Sequence, residues 1–337
     1  MQADAVSVPE RGILMQTPQR DPDAVRRIEQ KYRRLERQKR RRKLRENLPF
    51  YLIVPVLVLI LAGLLLYGSR QRAAVPEIAA DTLRVYLLDV GQGDAILIES
   101  QGHAALIDAG EADQGGRVTE MLHSLGIRQL DFIVNSHPHS DHCGGLSAVL
   151  SQIPAGKLWL PAVPEALMPT GYSFSSMLTA AEKQGIPVGT PENRTRVTLG
   201  GAELEFLCTD NSAFTNLNDC SLVCLLTCGA QRFLFTGDLE AEGEQAMLAA
   251  GLIPQVTVLK AGHHGSSRST SEALLRAAQP QYAGISVGAL NDYGHPSAQT
   301  LRRLRENGCE IFRTDLDGTV CFSTDGSTLR VVTGLSF

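Results

Sequence analysis

The chain has 337 residues, 43% of them hydrophobic and 20% charged, the proportions of a folded globular protein rather than a disordered or fibrous one. Its formal net charge of −4 hides a division: residues 1–72 hold sixteen of the 32 Lys/Arg and seven of the 36 Asp/Glu, which leaves residues 73–337 at −13. So acidic a body counts against a non-specific nucleic-acid binder, which normally carries a positive face.

In chain order, residues 1–22 are polar and interrupted by prolines, which predicts disorder. Twelve Lys/Arg then crowd Arg26 to Arg45 against two acids, Glu29 and Glu36. The run "PFYLIVPVLVLILAGLLLY", residues 49–67, carries no charge and has the length of a transmembrane helix. A buried core helix of that length would show a polar face. A cleaved signal peptide, suggested by Ala73 and Ala74, has a shorter apolar core and a shorter charged leader. The basic flank predicts a cytoplasmic segment over residues 1–48 and an extracellular position after about residue 70. Next to a membrane helix the basic run reads as a topological and lipid-surface signal; alone it would also read as a nucleic-acid patch. Residues 68–80 read as a linker and 81–337 as one domain.

From Thr82 onward, "LRVYLLDV", "AILIES", "AALIDAG" and "DFIVNS" read as strands. Between the last two, "GGRVTEMLHSLGI" sets Val118, Met121, Leu122 and Leu125 on one helical face, with Gly126 as a stop. The second half repeats this texture. "AELEFL", "SLVCLLTCG", "RFLFTGD", "VTVLKAG" and "YAGISV" predict strands, with helices in "LEAEGEQAMLAAG", "TSEALLRAA" and "SAQTLRRLREN"; "GTVCFST" and "TLRVVTG" close the chain. Two such halves predict an α/β (α+β) fold of two sheets packed face to face with helices outside. The seven cysteines show no C-x-x-C spacing, so a zinc ribbon is not expected, and an odd number leaves at least one thiol free. Cys224 and Cys228, on or at the end of one strand, stand too far apart to bridge each other.

"NSHPHSDHCGG", residues 135–145, packs three of the eight histidines and an aspartate into six positions at the end of a predicted strand, where α/β folds place ligands. Imidazoles and a carboxylate at that spacing are able to hold two metal ions. His137, His139, Asp141 and His142 resemble the His-x-His-x-Asp-His hallmark of the metallo-β-lactamase fold superfamily. The order of "LLDVGQGDAILIES", "LIDAG", "NDCSLV", "FTGDL", "LKAGHHGSS" and "YGHPS" is similar to the hydrolase domain of ComEC/Rec2-type competence proteins, over about residues 82–333. The resemblance implies an αββα sandwich of the metallo-β-lactamase type, here preceded by one transmembrane helix.

It also implies roles. Asp238 corresponds to a carboxylate bridging two metals, with a helix N-cap as its rival role. Asp108 orients a ligand histidine, or caps the next turn. One of His263 and His264 joins Asp141 and His142 in the second metal site while the other faces substrate; the sequence does not say which. His295 meets a substrate phosphate or serves only its turn. The superfamily's additional histidine between Cys143 and Asp238 is missing; Asn218, Asp219 and Ser221 stand there as contacts around the site or to substrate, as does Ser266 further on. The first metal site, His137, His139 and Asp238, is thus expected to be open and oxygen-rich, favouring Mn²⁺ over Zn²⁺.

Two divalent ions suit metal-activated hydrolysis of phosphodiesters, with Asp141, His264 and His295 as the catalytic residues and no serine or cysteine nucleophile. The resemblance implies a membrane-anchored extracellular nuclease acting on DNA. A phosphodiesterase on cell-wall polymers, phosphocholine or nucleotides is the alternative, and the acidic domain suits a small substrate. β-Lactam hydrolysis does not follow from fold membership alone. Because the competence proteins pair this domain with a many-helix channel, a separate channel subunit is a possible partner and a non-catalytic accessory role the reading from another class.

Overall fold

The computed structural model describes residues 33–34, 36–41, 83–335 and 337. The chain divides into two units, residues 1–71 and 72–337. Of the first, only exposed helical residues between 33 and 41 are described. Among the described residues no helix is long and apolar enough to cross a membrane. The longest, Tyr172–Lys183, has 12 residues, and at ~1.5 Å per residue it covers little more than half of the ~30 Å hydrocarbon core. The expected span, residues 49–67, lies outside the described residues, as do the expected disorder of 1–22 and the linker 68–80. The fold class is therefore corrected to the sandwich alone. The anchor, the membrane as a partner and the extracellular placement of the hydrolase have no support in the structure.

Among the described residues, strands β1 (Leu83–Leu87), β2 (Ile96–Ser100), β3 (His103–Ile107), β4 (Phe132–Val134), β5 (Leu158–Trp159), β6 (Val188–Gly189), β14 (Thr319–Thr324) and β15 (Leu329–Leu335) form one sheet, in the order β15-β14-β1-β2-β3-β4-β5-β6. A second sheet runs β13-β12-β11-β10-β9-β8-β7, from β7 (Arg196–Leu199), β8 (Ala202–Leu207), β9 (Val223–Cys228), β10 (Gln231–Phe235), β11 (Val258–Lys260), β12 (Tyr282–Ile285) and β13 (Glu310–Arg313). Helices α1 (Gly115–Ser124), α2 (Ser140–Cys143), α3 (Leu146–Gln152) and α4 (Tyr172–Lys183) belong to the first half of the chain. Helices α5 (Ala241–Ala249), α6 (Glu272–Ala278), α7 (Ala298–Glu306) and α8 (Thr314–Asp317) belong to the second.

Alternation along the strands builds the layers, because successive side chains leave opposite faces of a sheet. Leu83, Val85 and Leu87 of β1 enter the core between the sheets with Phe206, Phe233 and Phe322. Tyr86 points the other way, into the cluster with Val118, Met121 and Leu122 of α1. In the second sheet Phe233 and Phe235 face inward, while Leu234 packs outward with Met247 of α5 and Leu274 of α6. The result is an αββα sandwich. Helix α1 ends before Gly126, whose φ of +84° suits a residue without a side chain.

Two runs of parallel neighbours set up the site: β3-β4-β5 in one sheet and β10-β11-β12 in the other. The segments that follow β3, β4, β10, β11 and β12 carry Asp108, His137, Asp238, His263 with His264, and His295. No element was expected between Gly145 and Ala202, where the structure has α3, β5, α4, β6 and β7. Strands of two residues carry no readable period.

Candidate metal centre

Asp108 leaves β3 with φ +57° and turns its carboxylate onto the loop after β4. Its Oδ1 accepts from Ser136 N at 2.8 Å and Asn135 Nδ2 at 3.0 Å. Its Oδ2 takes the Ser136 hydroxyl and lies 2.9 Å from His142 Nδ1. A carboxylate on Nδ1 fixes the proton there and leaves Nε2 as the ligand atom. Asp108 thus orients His142.

Helix α2, entered from His139, carries Asp141 and His142. Its backbone rests on Gly93, where a Cβ would stand 2.2 Å from Asp141 O; Asp94 N donates to that same carbonyl at 3.1 Å. His137 is fully buried, and its Nε2 lies 2.9 Å from His139 Nδ1.

Asp238 sits at the centre, beyond Gly237, which takes φ +53°. Its Oδ1 lies 3.3 Å from His142 Nε2. Its Oδ2 lies 3.6 Å from His264 Nε2, 3.6 Å from His263 Nε2 and 3.9 Å from His137 Nε2. The helix-capping role weighed for Asp238 falls instead to Asp219, whose Oδ1 accepts from Glu240 N at 3.0 Å and Gly243 N at 2.9 Å at the start of α5. Ser221 Oγ accepts from Asp238 N at 3.1 Å.

The adjacent histidines, both at positive φ, turn to different partners. His264 Nε2 lies 3.1 Å from Asp141 Oδ2, while its Nδ1 faces Ser286 O at 3.0 Å and Asp94 Oδ1 at 3.3 Å. Behind it, the other oxygen of Asp94 pairs with Lys260 Nζ at 2.8 Å, both residues being 1% exposed. His263 Nδ1 lies 3.1 Å from Glu240 Oε1, which also accepts from Asn218 Nδ2 at 3.0 Å. The second Glu240 oxygen holds Asn216 Nδ2 at 2.9 Å and pairs with Arg268. The ring of His295 lies 5.3 Å from that of His263 and stacks on Tyr293. Ser266 is buried in the turn, its hydroxyl accepting from Arg268 N and its carbonyl from Thr300 Oγ1.

Among the described residues, two groups bring ligand atoms within 4.8 Å of one another: Asp141, His142, Asp238 and His264, and Asp94, Asp108 and His142. In the second group Lys260 already holds Asp94, and Asn135, Ser136 and His142 hold Asp108, so it supports the first. His142 Nε2 and Asp238 Oδ1 are buried without a hydrogen-bond partner. Unpaired buried polar atoms of that kind are costly, and a divalent cation between them would satisfy both. Donors and acceptors of the cluster fit such an ion.

Burial alone would lower the pKa of His142, but Asp238, Asp141 and Asp108 overcome it and hold the ring well above the ordinary histidine range. His264 is pushed up to about 10 against burial by Asp238, Asp141 and Asp94. Burial first, then the neighbouring histidines, depresses His137. His139 is likewise lowered, chiefly by burial. Burial would raise the Asp238 and Asp141 carboxyls, yet the surrounding histidines keep both below the usual carboxylate range.

Asp94, Lys260 and Glu240 escaped the sequence reading. Lys260 left a signal, a lone charge within the apolar strand run "VTVLK". Asp94 stands in the run "LLDVGQGDAILIES" that carries part of the resemblance, but nothing there assigns it a role, and Glu240 left no signal, because an acid at the start of a helix is ordinary.

Residues 88–288 match the model of the metallo-beta-lactamase superfamily. The chain belongs to that superfamily. It is similar to Competence protein ComA of Neisseria gonorrhoeae, 35% identical over 273 residues that cover 80% of this chain and 35% of that protein. ComE operon protein 3 of Bacillus subtilis (strain 168) is 29% identical over 258 residues, 70% of this chain and 32% of that one. Recombination protein 2 of Haemophilus influenzae is 31% identical over 249 residues, 72% of this chain and 29% of that one. The chain thus spans about a third of the length of these relatives. Family and clustered ligand atoms together make it a metal-binding hydrolase of this superfamily.

Proposed function

We propose that the chain hydrolyses phosphodiesters with divalent cations that the residues around Asp238 would hold. The observation that carries this is the position of that one carboxylate, with four imidazole Nε2 atoms between 3.3 and 3.9 Å from its oxygens. Asp141, His142, His264 and Asp238 would hold one ion. His137 and His139 would hold the other, and His263, braced by Glu240, would take the place of the missing histidine. With a third imidazole there, the set suits Zn²⁺ as well as Mn²⁺.

Bound cations in such a pair lower the pKa of water and offset charge developing on a phosphoryl centre. The chain's own residues do the rest. Asp108, Glu240 and the Ser286 carbonyl fix the Nδ1 side of His142, His263 and His264, so that Nε2 of each faces inward. His295, beside His263 at the rim, holds a substrate oxygen. A thiol nucleophile is disfavoured: burial pushes Cys143, next to the cluster, up to about 12. The names of the curated relatives, which speak of competence and recombination, favour DNA as the diester.

The test is release of product from single-stranded DNA, double-stranded DNA and bis-p-nitrophenyl phosphate by the purified protein with Mn²⁺, Zn²⁺ or chelator, beside Asp141→Ala. Metal-dependent cleavage that disappears in the variant is expected. If no diester is cleaved under any metal, the proposal is wrong.

A further inference from the structure

Among the described residues, a large cavity lies outside the metal cluster. It measures about 510 Å³, within the range of small-molecule sites, and lies where the loops after β5 and β8 meet beside α4. Pro138, between His137 and His139, forms part of its wall. The cavity therefore adjoins the loop that carries two histidines of the cluster.

The chemistry of the wall is divided. Pro138, Pro161, Pro164, Met168 and Phe174 make apolar faces, and Met168 is 47% exposed. Thr209, Asp210 and Ser212 make one polar edge. No lysine or arginine lines the cavity. A second phosphate would meet Asp210 without a counter-charge, and a polyol would press hydroxyls against proline rings, where unpaired polar groups are costly. A flat heterocycle, with apolar faces and a polar rim, matches both parts.

We propose that this cavity is a nucleobase subsite, taking the base of the nucleoside esterified to the scissile phosphate, with its faces on the prolines, Met168 and Phe174 and its edge on Thr209 and Asp210. The proposal rests on the phosphodiesterase reading and names the substrate side of that same site.

Ala162, exposed on the cavity wall, offers a substitution that blocks the space without entering the core; its carbonyl, which accepts from Asn211 Nδ2, is unchanged by Ala162→Phe. The full chain, wild type and variant, would be assayed with Mn²⁺ on three esters sharing one leaving group: thymidine 5′-(p-nitrophenyl phosphate), methyl p-nitrophenyl phosphate and p-nitrophenylphosphorylcholine. The thymidine ester should show a KM on the order of tenfold below the methyl ester, and Ala162→Phe should abolish that advantage while leaving the methyl ester unchanged. Equal KM values in the wild type, an advantage that survives the variant, or preference for the choline ester would overturn the subsite. If no ester is hydrolysed the phosphodiesterase reading fails, and the cavity is then decided by binding. Occupancy is then read directly by isothermal titration calorimetry on the full chain. Thymidine 5′-monophosphate should bind saturably to the wild type and more weakly or not at all to Ala162→Phe; no binding to the wild type, or equal binding to the variant, refutes the proposal.

Discussion

Replacing Lys260 by methionine should destabilise the fold by about 3–5 kcal/mol, the usual result of removing one partner from a buried ion pair. Lys260 and Asp94 pair at 2.8 Å, and the ammonium also donates to Ala261 O at 2.9 Å. Burial raises the Asp94 pKa, but Lys260 and His264 overcome it and hold the carboxyl at about 2. Methionine keeps most of the apolar stem, so the loss reports the stranded carboxylate rather than a void. Asp94→Asn strands the ammonium instead, while the double variant leaves a neutral pair and should recover most of the stability. Urea denaturation of all four proteins, with and without chelator, measures this; in thermal melts the single variants should fall by roughly 10 °C, at roughly 2–4 °C per kcal/mol for domains of 150–250 residues. Because the folded pKa of Asp94 is depressed, its contribution is fully present above the unfolded value of 3.8 and is lost as pH falls toward about 2. Wild type should lose stability across that window and Asp94→Asn should lose less. A Lys260→Met variant within about 1 kcal/mol of wild type, or a double variant no better than the worse single, would refute the reasoning.

Gly93→Ala should weaken metal binding and lower the melting temperature, because its Cβ would stand 2.2 Å from Asp141 O at a φ of +118°; unchanged metal affinity by equilibrium dialysis would show that α2 yields freely. Asp108→Ala should cost about 10–100-fold in metal affinity by freeing the His142 ring, and dialysis against competing chelators gives the number. Metal binding should release protons at neutral pH, since neighbouring carboxylates hold the His142 and His264 rings above the ordinary histidine range. Affinity should consequently rise with pH. Calorimetry in buffers of differing ionisation enthalpy counts the protons, and a slope of zero contradicts that picture.

The sandwich was legible because its strands are amphipathic or apolar runs bounded by turns, and the five segments that carry the cluster each follow such a run. "DFIVNSHPHSDH" shows strand and ligands together. The contacts that brace the ligands were not legible. Asp94 is 166 residues from Lys260 in the chain, and only the packing of the second sheet, which carries β11, onto the first brings them together. Sequence also left His263 and His264 equivalent; the positive φ of both residues splays their rings, which no pattern of residue types encodes. The expected membrane anchor rested on hydropathy in residues 49–67, which lie outside the described residues, and no described helix serves that role.

Charge balance ties the cluster to its cations. Asp94, Asp108, Asp238 and Glu240 are buried and Asp141 nearly so, yet among the described residues only Lys260 and Arg268 bring fixed positive charge to these five carboxylates. Three negative charges remain. Protons on His142 and His264 offset two of them, which is why those rings hold protons far above the ordinary range. Divalent ions would replace those protons and supply more charge at the same atoms, meeting the unpaired Nε2 of His142 and Oδ1 of Asp238. Metal loading and folding of this region are accordingly linked: whatever binds the folded state alone stabilises it by mass action. The helices and loops around Asp238 should therefore gain hydrogen-exchange protection on addition of Mn²⁺ or Zn²⁺, while the distant β14-β15 hairpin, which carries none of the ligands, should not.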